Sequence, residues 1–279
     1  MSAHRPSGGE REAGSAHRPS ALAEAYSATG GAWQAGPGPI YGRLAEVLVA
    51  ACPGGVAGRR VLDLGAGTGA ATRAALAAGA SSVVAVDVAL GMLAHDRRRR
   101  PPAVVADARA LPLPDGSIGA VVAAFSLNHL ADPAAGLAES ARVLTPGGGL
   151  VAGAYAQDDT HPVKAIVEAV CARRGWEPAA WYGVMKAEAV PRMATVAAAL
   201  DAAHGTGLHD VEACTTRVAF EDLGPAALVA WRLGMANMAP FVARLPVEER
   251  DAVVAEALAE LGPDPVPLER SIVVLVGRG

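Results

Sequence analysis

The run Val61-Leu62-Asp63-Leu64-Gly65-Ala66-Gly67-Thr68-Gly69 constrains this chain more than any other stretch. A short apolar segment leads into an acid and then into glycines at alternate positions. The alanine-rich stretch after it, through Leu76, reads as a helix. Strand, glycine turn and helix form the opening unit of a doubly wound α/β sheet, with the ligand at the strand ends. The spacing narrows the ligand. A dinucleotide fingerprint needs G-x-G-x-x-G to seat a pyrophosphate on the helix N-terminus. Here the glycines run G-x-G-x-G, with Asp63 two residues ahead of the first. A carboxylate at that point repels a diphosphate and attracts the ammonium of an amino-acid-bearing nucleoside. S-adenosylmethionine (SAM) is such a ligand, and glycines let the backbone approach it closely.

The next strand ends repeat the pattern. Val83-Val84-Ala85-Val86 ends in Asp87, placed to take ribose hydroxyls, and Ala103-Val104-Val105-Ala106 ends in Asp107. Three parallel strands ending in acids on one edge make a cleft for a ligand rich in donors. Further along come Leu111-Pro112-Leu113-Pro114-Asp115-Gly116-Ser117 and Arg142-Val143-Leu144-Thr145-Pro146-Gly147-Gly148. With these motifs in this order, the chain resembles class I SAM-dependent methyltransferases. The likeness is to the small-molecule branch that includes the ubiquinone and menaquinone biosynthesis methyltransferases. It runs in detail over 59–156 and in outline elsewhere. One departure is Ile118-Gly119, where the family usually carries Phe-Asp, an aspartate that generally supports the loop.

The resemblance implies a Rossmann-like, doubly wound, seven-stranded, mostly parallel sheet whose last strand is antiparallel. It also implies residue roles. Asp63 and the backbone of Gly65 and Gly67 would hold the methionine portion, with Thr68 near its carboxylate and Ala66 and Gly69 completing the turn. Asp87 would take the ribose hydroxyls, while Val88 and Met92 pack on adenine. Asp107 would accept from the adenine amine, with the Ala108 amide on a ring nitrogen. Ser126, at the end of the fourth strand, joins the cofactor set.

The organisation expected is a disordered leader over 1–20, which carries the duplicated Ser-Ala-His-Arg-Pro-Ser, followed by one domain over 21–279. Within it, 21–58 forms a cover of one or two helices, 59–156 the cofactor core, and 222–262 a helical lid before the last strand. Helices are expected over 68–78, 89–97, 133–143, 161–174 and 192–204, with strands over 59–64, 82–87, 103–106, 118–126, 149–156, 209–219 and 268–277. Arg97–Arg100, ahead of Pro101-Pro102, reads as a solvated helix cap.

Of 279 residues, 52% are hydrophobic, enough for one large core. A net charge of −4 speaks against a nucleic-acid substrate, whose phosphates need cationic contacts. Three scattered cysteines fit neither a zinc site nor a disulfide framework and suit a reducing, cytoplasmic compartment; no metal is expected. No membrane span and no signal peptide are read from the sequence.

Displacing a methyl from a sulfonium needs alignment, desolvation and, for some nucleophiles, a base. His129, in the loop after Ser126, is the candidate base; the competing reading is a histidine that shapes the loop while catalysis proceeds by proximity. No Asn/Asp-Pro-Pro-Tyr/Phe motif and no Pro-Cys nucleophile follow the fourth strand. Tyr26, Trp33, Trp181, Trp231 and Met235 are the candidate acceptor contacts, pointing to a small apolar or aromatic molecule such as a natural-product or quinone-like intermediate. A SAM-binding sensor or scaffold without turnover, and an RNA or protein methyltransferase, are the alternatives.

Overall fold

The computed structural model describes residues 20–279. The expected leader lies outside the described residues, except Ser20, whose side chain caps the first helix by accepting from the Ala23 amide. Seven strands, β1 (Arg60–Leu64), β2 (Ser82–Asp87), β3 (Ala103–Val105), β4 (Ile118–Ala124), β5 (Leu144–Tyr155), β6 (His209–Phe220) and β7 (Leu268–Arg278), form one sheet in the order β3-β2-β1-β4-β5-β7-β6. Neighbours from β3 to β5 are parallel, and β7 runs antiparallel to both β5 and β6. This is the seven-stranded, mostly parallel, doubly wound α/β sheet expected.

The central strands are apolar because both their faces are covered. Val61, Val83, Ala120, Val122, Val151 and Val274 share one core with α3 (Gly38–Ala51), α4 (Ala70–Ala77) and α7 (Pro162–Ala172). Leu62, Leu64, Val84, Val121, Leu150 and Leu275 share the other with α6 (Pro133–Val143) and α9 (Val196–Ala203). Successive residues of one strand thus enter opposite cores, as the period of two requires.

The cover is three helices rather than one or two: α1 (Ala21–Ser27), α2 (Gly30–Ala35) and α3. Gly36-Pro37 breaks the run, and α1 docks on α5 (Leu90–Ala94) through Gly91, where a Cβ would lie 1.9 Å from the Ser27 carbonyl oxygen. The expected helix over 89–97 stops at Ala94, since His95 is extended and Asp96 has φ of 49°. β5 starts five residues early, pairing Leu144 with Ile118 before an irregularity lets it pass Gly147-Gly148. Residues 180–192, left without an element above, form α8 (Ala180–Val184), a π turn (Met185–Ala189) and a 3-10 turn (Val190–Arg192). The segment 222–262 resolves into α10 (Pro225–Leu233), α11 (Ala239–Arg244) and α12 (Val247–Leu261), all between β6 and β7.

The motifs outside the glycine turn have a structural reason. Arg142 donates to the carbonyls of Leu111 and Leu113 and to the carboxylates of Asp115 and Glu139, pinning the 111–117 loop to α6. At the departure Ile118-Gly119, Arg59 donates to the Gly119 carbonyl at 3.2 Å. Among the described residues, no helix is long and apolar enough to cross a membrane.

Candidate functional site

β1 leaves the sheet into a turn in which Gly65, Gly67 and Gly69 have φ of 73°, 51° and 90°, the left-handed region that favours glycine. Gly65 is required twice over. A Cβ there would lie 2.1 Å from Ser126 Cβ, and Ser126, at the end of β4, donates from Oγ to the Leu64 carbonyl at 2.6 Å. Asp63 is 1% exposed, and its Oδ2 accepts from the amide and hydroxyl of Thr72 at 2.7 and 2.6 Å, anchoring α4. Burial raises its pKa to about 6 despite those bonds. Asp87 clamps the turn from β2, with Oδ2 accepting from the Gly67 amide at 2.7 Å and Oδ1 from the Ala89 amide at 2.8 Å; burial raises its pKa too. A carboxylate has about four acceptor sites, so both retain capacity for a ligand.

Arg100 corrects the reading of the arginine run. Arg97, Arg98 and Arg99 are exposed, but Arg100 folds back and donates to the carbonyls of Gly67 and Leu93 at 3.2 and 2.9 Å. It ties the end of α5 to the glycine turn, a contact that the Pro101-Pro102 break permits. Further along the same edge, Asp107 pairs with Arg109, Oδ2 to Nη2 at 2.7 Å. Val88 is 42% exposed and Met92 2%, so one covers and the other underlies the space between them.

That space opens into a cavity of about 1190 Å³. A single drug-sized ligand usually occupies roughly 300–1,000 Å³, so this one has room for two. Asp63, Gly65, Ala66, Gly67, Thr68, Asp87, Val88, Met92, Asp107, Ala108 and Ser126 all line it. Gly69 does not: it is the N-cap of α4. The five candidate acceptor residues line it as well, Tyr26, Trp33, Trp181, Trp231 and Met235. The rings of Trp181, Tyr26 and Trp33 continue through Tyr41 and Tyr155 as one wall. Tyr26 lies 6.2 Å from Trp181 and 5.6 Å from Trp33, Trp33 lies 4.8 Å from Tyr41, and Tyr41 lies 6.1 Å from Tyr155, centroid to centroid. Aromatic pairs at these separations add to plain apolar burial.

His129 lines the cavity with Nε2 3.4 Å from the Tyr26 hydroxyl. Burial lowers its pKa to about 4, so it is neutral at pH 7 and a poor proton acceptor. Its lowered pKa fits a loop-shaping role better than that of a base. Accordingly, His129→Gln is expected to lower turnover by less than about tenfold, and kcat against pH should carry no inflection near 6.5. A hundredfold loss with unchanged cofactor affinity would restore the base.

The far end of the cavity holds a polar group not foreseen. Because β7 is antiparallel, its first residues reach the edge where β5 ends, and Tyr155 pairs with Ile272. Arg270 there is 2% exposed, lies over the rings of Tyr155 and Trp231 at 3.9 and 4.6 Å, and donates to both oxygens of Asp159 at 3.0 and 2.6 Å. Lys164 shares Asp159 at 3.1 Å, and Arg232, 4% exposed, pairs with Glu168 at 2.8 Å. The signal for Arg270 was present. Leu268, Arg270 and Ile272 alternate as the inward positions of a strand, so the arginine occupies a core position.

Residues around the cavity divide between its lining and the core. Trp176 is buried in the core, donating to the Asn237 carbonyl. His161 and Gln157 line the cavity, whereas Asp158 lines only a small neighbouring depression. Leu233, Met238, Phe241, Val242 and Leu245 pack in or against the core, so only α10 and the turn after it, not α11 or α12, face the cavity.

Residues 62–152 match a family described as "Methyltransferase domain". The chain is 41% identical over 121 residues to a demethylmenaquinone methyltransferase of Renibacterium salmoninarum, covering 43% of this chain and 51% of the relative. It is 49% identical over 94 residues to one from Mycobacterium sp. (strain KMS), covering 34% and 40%. The chain thus spans about half the length of the curated relatives it matches. Among solved structures, a chain from the complex between the Haloferax volcanii Trm112 methyltransferase activator and a methyltransferase superposes with a TM-score of 0.54 at 20% identity, covering 91% of this chain and 94% of that one. A Haemonchus contortus phosphoethanolamine N-methyltransferase 2 in complex with SAM superposes with a TM-score of 0.51 at 18% identity, covering 92% and 56%. These likenesses bear on the fold: it is that of class I methyltransferases, with the sequence resemblance to menaquinone enzymes concentrated in the glycine-turn half.

Proposed function

We propose that this chain transfers the methyl group of SAM to a small aromatic or apolar acceptor, of the kind that the quinone-methylating relatives' name indicates. One observation carries the reading: a single cavity joins a glycine turn flanked by a buried carboxylate, Asp63, and a half-buried one, Asp87, to a wall of aromatic rings. The residues present fit SAM. Asp63 is a buried carboxylate with its pKa raised, and its Oδ1 has no hydrogen bond among the described residues, so an ammonium would relieve its burial. Asp87 stands one strand over, where ribose hydroxyls belong, and Asp107 one further, within reach of an adenine amine. SAM, when bound, supplies a methyl already activated by its positive sulfur.

The chain's own part is to orient and to dry. Trp33, Tyr41 and Trp231 are each less than a tenth exposed and exclude water from the path between the two ends. The rings hold a flat acceptor by shape, so alignment rather than proton transfer supplies the rate. Nucleic acid is not among the proposed acceptors, because the buried cations serve an enclosed cavity rather than an open groove. The setting proposed is cytoplasmic.

Titration with S-adenosylhomocysteine tests the reading. Binding in the low-micromolar range is expected, about −8 kcal/mol. Asp87→Ala should weaken it by about 1–3 kcal/mol, through lost ligand bonds and a loosened Gly67. Binding of NADH with no response to S-adenosylhomocysteine would overturn the proposal. In the complementary variant, Trp231→Ala, cofactor affinity should stay within about twofold while turnover of a quinol acceptor falls at least tenfold. A chain that stays folded but loses the cofactor would place Trp231 at the wrong end.

A further inference from the structure

The end of the cavity away from the glycine turn carries positive charge that the chain itself does not neutralise. Trp231, Arg232 and Arg270 are 1%, 4% and 2% exposed, and all three line the cavity. Each holds a buried N–H with no acceptor among the described residues: Trp231 Nε1, Arg232 Nε and Arg270 Nη1. Indole and guanidinium groups only donate, so no rotation or proton shift resolves them. Buried donors are almost always paired, and three unpaired ones in a single wall call for an acceptor-rich occupant.

The charges agree with the hydrogen bonds. Arg270 and Lys164 share Asp159, and Arg232 holds Glu168, so three cations share two carboxylates. A water molecule satisfies an N–H but leaves that surplus in place. Lys164 is lowered to about 8, chiefly by burial and then by the neighbouring Arg270.

Position in the sheet sets Arg270 apart from the carboxylates proposed to hold the methyl donor. Arg270 stands on β7, three strands from β1, which is about 14 Å at the usual spacing. Asp87 and Asp107 lie on the opposite side of β1, at the ends of β2 and β3. A donor held by those acids and the glycine turn would lie on the other side of β1 from Arg270.

We infer that the methyl acceptor is an organic monoanion whose charged oxygen group, a carboxylate or an ionised phenol, seats on Trp231, Arg232 and Arg270 while its aromatic body lies along Tyr26, Trp33 and Tyr41. This rests on the proposed function, since it names the acceptor of that same cavity. It also fits the weakness of His129 as a base. A phenol held against two arginines is kept ionised by them, so no protein group is needed to take that proton.

The test titrates the whole chain, with and without saturating S-adenosylhomocysteine, against 2-naphthoate, 2-naphthamide and 2-naphthol, followed by tryptophan fluorescence and calorimetry. The expected result is naphthoate binding at least tenfold tighter than its neutral amide, which identifies a carboxylate, or naphthol bound with the absorption spectrum of its anion at pH 7, which identifies a phenolate. Arg232→Gln should cut the preference to within threefold while leaving S-adenosylhomocysteine affinity unchanged. Lys164→Met, at a less buried position, serves if that variant does not fold, with a smaller loss of preference. The inference is overturned if amide and acid bind equally and naphthol binds neutral. It is also overturned if the preference survives Arg232→Gln, or if none of the three binds to a chain that holds S-adenosylhomocysteine. A chain that prefers the anion but ignores S-adenosylhomocysteine would instead overturn the methyl-transfer proposal and leave the anion site standing.

Discussion

Asp63→Asn is expected to give a chain that melts higher and has lost most of its hold on S-adenosylhomocysteine. Asp63 is 1% exposed, and burial raises its pKa from 3.8 to about 6. The native state therefore binds a proton more readily than the unfolded chain. The stability linked to that proton is full below about 3.8 and is lost as pH rises through about 6, so at pH 7 the ionised group costs up to about 3 kcal/mol. An amide keeps an oxygen for Thr72 and removes the charge, and the melting temperature should rise by several degrees. The ligand's ammonium meanwhile loses its buried partner, a change of about 2–5 kcal/mol or roughly 30-fold and more in affinity. Affinity of the wild-type chain should also fall between pH 7.5 and 5 as Asp63 takes up its proton, and that slope should vanish in the variant. Lower stability with unchanged affinity would mean that Asp63 serves only to anchor α4.

Gly65→Ala should be among the most damaging single methyl additions in the described residues. Its Cβ would meet Ser126 Cβ at 2.1 Å, on a residue with φ of 73°. Backbone strain of about 1–2 kcal/mol adds to overpacking of about 1–3 kcal/mol. Relief requires β4 to part from β1 where Ser126 bonds the Leu64 carbonyl. The expected outcome is loss of measurable S-adenosylhomocysteine binding and a melting temperature lower by about 5 °C or more. Gly65→Ala combined with Ser126→Gly removes the clash but not the backbone strain, so thermal melts should recover only part of the loss. A single variant with unchanged melting and binding would contradict the packing of the turn.

The cofactor half of the cavity was legible in the sequence because its parts are consecutive. Asp63 through Thr68 come from one strand and one turn, and Asp87 and Asp107 each end an apolar run, so local pattern and site coincide. The acceptor half comes from α1, α2, α3, α7, α8, α10, β5 and β7, with Tyr26 and Arg270 near opposite ends of the described chain. Tyr26, Trp33, Trp181 and Trp231 could be picked out, since few aromatics were there to choose from, but Tyr41 and Tyr155 were not. Its cations could not, because Lys164, Arg232 and Arg270 read as surface charges until the topology buries them. Arg100 was misread for the same reason: a cap and a strap differ only in where the chain turns next. The π turn at Met185–Ala189 has no periodic signature at all.

The place of β7 in the sheet has a consequence for biogenesis. Vectorial synthesis delivers β1 to β5 in an order that lets each pair with a strand already made. β6 emerges without its neighbour, because β7 must come between it and β5. The stretch from Phe220 to Leu268 takes a few seconds at roughly 5–20 residues per second. For that interval β5 and β6 both present open edges, the template for errant pairing with other chains. A ribosome stalled before Leu268 would therefore hold a nascent chain able to form the glycine turn but not the anion-facing wall, and exposed to aggregation. Chaperone demand during translation should peak in that window and end when β7 inserts.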